Sequence, residues 1–95
     1  MKIPVKAAIK LAEMLAPDEY VGSVMESKTE YIMYLRYKDD DEWSDDGAYA
    51  VSKKTGRIRE MGGEEAFMCK EPFVWKRDSY KAKGYALNER DNDQG

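Results

Sequence analysis

The sequence contains no histidine. That removes the commonest general base and the commonest transition-metal ligand together. It has one cysteine, Cys69, which excludes an intramolecular disulfide and a multi-cysteine zinc site. Lys70 beside it could lower its pKa, but no histidine is there to activate it, so it reads as a structural thiol. No apolar run approaches the length of a membrane span, and the segment Met1 to Val5 lacks the apolar stretch of a secretory signal. The sequence also lacks a nucleophile elbow, a phosphate-binding glycine loop and metal-ligand spacing. These absences predict a cytoplasmic, non-enzymatic protein with no membrane contact, no cofactor and no metal.

Net charge is only −3 over 95 residues, so no whole-protein field favours nucleic acid or a basic partner. The chain is nevertheless rich in charge, at 37%, and has seven Tyr and two Trp, which argues against disorder. The length makes one domain with a thin core.

The periodicity changes once, at Pro17. Before it, Val5, Ala8, Ile9, Ala12, Leu15 and Ala16 keep the spacing of one buried helix face over residues 4 to 16, with Lys6 and Lys10 off that face. After it the spacing is that of strands. Tyr20 to Lys28 alternates, with Tyr20, Gly22, Val24 and Glu26 on one face and Val21, Ser23, Met25 and Ser27 on the other. Gly22 marks a bulge or a close helix crossing. Tyr31 to Lys38 is apolar on both faces, as a central strand is. Ala48 to Ser52 and Arg57 to Met61 flank a tight turn in which Gly56 takes a positive φ. Glu64 to Cys69 reads as a helical turn resting on Ala66, Phe67 and Met68. Glu71 to Trp75 reads as an edge strand or strap, because Pro72 excludes a central position. The fold class is therefore α+β, an N-terminal helix packed on an antiparallel β-meander of three to five strands. The domain spans residues 1–87, and 88–95 is a polar, flexible tail.

Two charged segments carry the candidate sites. Asp39, Asp40, Asp41, Glu42, Asp45 and Asp46 surround Trp43 in a loop from Asp39 to Gly47. As a calcium loop it fails on spacing, because Lys53 stands where a bidentate Glu is needed. As a partner-binding patch it offers Trp43 as anchor to a basic protein surface. As a plain hairpin loop its charges repel and keep it open. The second segment is the basic hairpin of Lys53, Lys54, Arg57 and Arg59, with both turn lysines exposed. With Lys76 and Arg77 it forms an alternative, nucleic-acid-binding set. Edge protection, or a salt bridge to the acidic loop, explains the hairpin equally well. Among the aromatics interleaved with C-terminal cations, Phe67 and Phe73 read as core, while Trp75, next to Lys76 and Arg77 and so a candidate for the rim, and Tyr80 are open to either role; Phe73, Val74 and Trp75 together are expected to dock on the domain.

The hairpin Tyr49, Val51, Lys53, Thr55, Gly56, Arg57 and Arg59, behind a helix ending in Pro17 and a strand pair, resembles small proteins encoded by phages, prophages and mobile elements. It is similar to bacterial immunity-protein-like domains, which carry a comparable hairpin, and the layout resembles cystatin-like or PepSY-like helix-on-sheet proteins. The resemblance covers about residues 4 to 61. It implies a stoichiometric inhibitor of an enzyme such as a toxin or host defence nuclease, acting by surface occlusion. No family site residue transfers.

Overall fold

The computed structural model describes residues 2–77, 81 and 84–86. The expected tail at 88–95 and Tyr80 lie outside the described residues. In chain order the elements are α1 (Val5–Leu15), β1 (Glu19–Glu26), β2 (Glu30–Tyr37), β3 (Trp43–Ser52), β4 (Ile58–Met61), α2 (Gly63–Met68), β5 (Phe73–Lys76) and β6 (Tyr85–Ala86). The strands form one antiparallel sheet in the order β4-β3-β2-β1-β5-β6. The first four strands are a meander; β5 then joins the free side of β1. Among the described residues the sheet thus has six strands rather than five at most. Pro72 does not confine β5 to the edge, because it lies outside the strand and β6 pairs beyond it. Among the described residues, no helix is long and apolar enough to cross a membrane.

Helix α1 rests on the sheet through Ala8, Ile9 and Ala12, with Ala16 closing the contact after the helix ends. The two alanines let the helix backbone lie close. Leu15, expected on this face, is exposed. Below α1 the core is Val21, Val24, Met33, Leu35 and Val51. A second, smaller core on the opposite sheet face joins Met25, Ile32, Ala48, Ala50 and Met61 to Ala66 of α2. Strand β2 contributes to both, as its two apolar faces predict. Phe67 and Met68 do not: Phe67 is 85% exposed, and α2 docks through Ala66 alone among its residues.

A bulge at Gly22 corrects the alternation expected for β1. Val21 pairs with Leu35, but the next pair is Ser23 with Tyr34, so Gly22 is the extra residue. The shift puts Val21 and Val24 together under α1, while Tyr20, Ser23 and Met25 share register rows with Arg36, Tyr34 and Ile32. The Val21 N–H donates to the Glu13 carboxylate at 2.9 Å, and the Gly22 carbonyl accepts from the Arg77 N–H. A second irregularity falls in β5, where Val24 pairs with Trp75 but Met25 with Phe73. Both Val74 and Trp75 thereby enter the main core. Trp75, left open between core and rim by the sequence, is 4% exposed, whereas Phe73, expected in the core, is 40% exposed.

Candidate partner-binding site

The β2–β3 connection is short and closed, not an open loop to Gly47. The Tyr37 N–H donates to the Glu42 carbonyl, the Asp41 N–H to the Tyr37 carbonyl, and the Glu42 N–H to the Asp40 side chain. Asp41 turns the chain with φ +62, a left-handed conformation that Asp adopts more readily than most residues. The Tyr20 hydroxyl donates to the Asp41 carboxylate at 2.5 Å, and Arg36 Nε donates to the Asp41 carbonyl at 2.7 Å. Local charge repulsion is outweighed here by hydrogen bonds from two neighbouring strands. Burial, reinforced by the Asp41 bond, pushes the Tyr20 hydroxyl pKa up to about 12 from an ordinary 10. Because the folded value is the higher one, Tyr20 contributes stability that is intact below pH 10 and lost as pH rises toward 12.

Trp43 opens β3 and pairs with Arg36, although Ala48 already pairs with Tyr34. Most of the segment between Trp43 and Ala48 is therefore surplus to the ladder, and Trp43 is drawn back onto the sheet. Its ring lies over Gly22: a Cβ built there would approach the ring at 2.8 Å and Arg36 Cδ at 2.9 Å. The Arg36 guanidinium stands 5.0 Å from the Trp43 ring centroid. The indole is thus held in place yet 49% exposed, and the exposed Asp39, Asp40 and Glu42 lie just ahead of it in the chain. Of the predicted acidic patch, Asp41 turns inward to Tyr20. Asp45 and Asp46 lie within β3, and their side chains fall outside the described part of the structure.

The alternative basic set is dispersed. Lys53 is not an exposed turn residue; it is 6% exposed, with Nζ 2.5 Å from Glu26 and 5.4 Å from the Tyr31 ring centroid. Its backbone bonds Thr29 and Ile3, and the Tyr31 hydroxyl donates to the Ile3 carbonyl, so the chain's start, the β1–β2 turn and the β3–β4 turn meet at this lysine. Arg59 lies between Glu30 and Glu65, at 2.9 and 3.1 Å. These carboxylates hold its pKa above the ordinary arginine value. Arg77 stands 3.6 Å from Glu13 and stacks on Tyr20 and Trp75. Lys54, Arg57 and Lys76 are exposed, Lys76 lying over the Phe73 ring. Among the described side chains, the carboxylates that meet the hairpin cations are Glu26, Glu30 and Glu65. Gly56 takes φ +78, as expected for the hairpin turn.

Lys53→Ala is expected to cost about 2–3 kcal/mol of stability, less than a fully buried broken pair because Glu26 retains some access to water. Lys53→Met combined with Glu26→Gln should recover most of that loss. Urea unfolding of the three proteins measures both; equal loss in the single and double variants would show that the ion pair itself carries the stability, not the packing of the lysine stem or the cost of leaving Glu26 unpaired.

The Trp43 cradle was only partly legible in sequence. The cluster of Trp43 and carboxylates was visible, whereas Arg36, Gly22 and Tyr20, which fix it, are distant in the chain and carry no motif. Among the described residues, no three His, Cys, Asp or Glu side chains are grouped so as to hold a metal ion. Comparison with protein-family models, with curated proteins and with solved structures finds no match.

Proposed function

We infer that the protein is a binding module that occupies a basic surface of a partner protein, with Trp43 as anchor and Asp39, Asp40 and Glu42 as its charged rim. One observation carries this reading: a large aromatic ring is half exposed yet already held between Gly22 and Arg36. A pre-positioned ring has little freedom left to lose on association. A Trp among neighbouring polar groups is the kind of residue on which binding energy concentrates. The carboxylates speed and orient the encounter more than they add affinity. The inhibitor-like role implied by the sequence resemblance is one form such occlusion takes, and the chemistry proposed is non-enzymatic. Nucleic-acid binding is the weaker reading because Lys53, Arg59 and Arg77 already face carboxylates.

Affinity capture from the native host, quantified for wild type, Trp43→Ala and Asp39→Asn/Asp40→Asn, tests the site. Trp43→Ala should weaken a specific partner by about 2 kcal/mol, about 30-fold, while the thermal midpoint moves little. The Asn pair should slow association and reduce its dependence on salt. An identical set of partners at identical yield with all three proteins would overturn the reading.

A further inference from the structure

Apart from Trp43 and Phe73, the exposed large apolar side chains among the described residues form two clusters, one on each helix. On α1 they are Leu11, Met14 and Leu15, spaced as one continuous stripe, with Met14 77% exposed. Leu11 reaches toward the β3–β4 turn, where a Cβ on Gly56 would approach it at 3.4 Å, so the stripe lies on the flank of α1 away from Arg77. On α2 they are Phe67 and Met68, three and four residues after Glu64 and so on its side of the helix. The exposed charges of the two helices are opposite in sign. Those of α1 are Lys6 and Lys10, because Glu13 is engaged inward with Arg77 and the Val21 N–H. Those of α2 are Glu64 and Glu65, of which only Glu65 meets a cation, Arg59, among the described residues. Beyond the helices the charges offset: Asp18 is joined through its backbone to Lys38, and Lys70 is followed by Glu71. The helices sit on opposite faces of the sheet, α1 over the main core and α2 over the smaller one.

We propose that the protein associates head to tail with copies of itself, the α2 face of one molecule docking on the α1 face of the next. Phe67 and Met68 would cover the Leu11–Met14–Leu15 stripe, with Glu64 set against Lys10 at the rim. Pairing of like faces is disfavoured, since it opposes lysines to lysines or glutamates to glutamates across an apolar contact. Because the two faces point away from each other, a pair of molecules cannot satisfy both, and each addition leaves one face of each kind open. The contact rests on five large side chains, so association is weak, with a dissociation constant of about 0.1–1 mM. Trp43 and its acidic turn take no part, and this contact stands or falls separately from that site.

Sedimentation equilibrium of the full chain up to about 1 mM tests this at the concentrations where it matters. The average mass of the wild type should rise past that of two chains without a plateau. Met14→Glu and Phe67→Gln each alter an exposed side chain, so circular dichroism should be unchanged, and each alone should weaken association about tenfold or more. Mixed in equal amounts, the two variants should form a one-to-one dimer and nothing larger. One variant keeps an intact α2 face and the other an intact α1 face, while the two altered faces do not fit each other. A wild type that stays monomeric at about 1 mM would leave both faces to other proteins and overturn the proposal. Met14→Glu associating as the wild type does would mean that α2 faces pair with one another, and Phe67→Gln doing so that α1 faces do; either result overturns it. So would a mixture no heavier than the separate variants.

Discussion

Trp75→Ala should lower the free energy of unfolding by about 3–5 kcal/mol, whereas Phe73→Ala should cost less than about 1 kcal/mol. Both residues lie in a strand of only four residues, and both are aromatic. What separates them is the register irregularity opposite Met25, which seats Val74 and Trp75 in the main core and leaves Phe73 partly outside. Removing the indole would leave a cavity beneath Arg77, whose guanidinium sits 4.9 Å from the ring centroid. Removing Phe73 strips a surface contact with Lys76. In a domain of this size, with a total stability of about 5–15 kcal/mol, the first loss approaches the threshold for folding. Urea unfolding followed by circular dichroism distinguishes the two; equal losses would mean that β5 docks in the opposite register.

The second large effect is expected at Gly47. Gly47→Ala should destabilise by about 3 kcal/mol or more, from two independent causes. Its φ is +98, a conformation open to glycine and strained for alanine. A Cβ there would also overlap the Met61 carbonyl oxygen, which β4 cannot easily withdraw because Met61 is paired with Ala48. The clash is with backbone, so no side-chain rotation relieves it. Gly62→Ala is the matched control, since a Cβ at that position meets nothing nearby. Thermal midpoints that fall equally in the two variants would refute the steric argument.

These cases show where the sequence was readable. The helix ahead of Pro17, the central strand β2 and the Gly56 turn were legible because each is specified by residues within a few positions of one another. Strand faces were legible only as far as the first bulge. Alternation counts residues, and Gly22 and Val74 each add one that the ladder does not use. The run Phe73, Val74, Trp75 is apolar throughout, so nothing local says which ring faces in. Lys53 failed for another reason. A lysine in a turn is ordinarily solvated, and its burial depends on Glu26, which is remote in sequence and adjacent only once β1, β2 and β3 have paired. The Trp43 site was half visible on the same grounds: the exposed indole and its carboxylates are contiguous, and the residues that hold them are not.

The junction at Lys53 also determines how this molecule can be handled. Ile3 is fastened there by its N–H to Lys53 and its carbonyl to Tyr31, level with the Glu30–Ser52 row of the sheet. Trp43 lies on the Arg36 row, six residues further along β2, about 20 Å away at the usual rise per strand residue. A tether joined ahead of Ile3 therefore leaves from the end of the sheet opposite the indole. Attached to a surface or a fluorophore by that end, the protein presents Trp43 outward, and the attachment itself stays clear of whatever the ring meets.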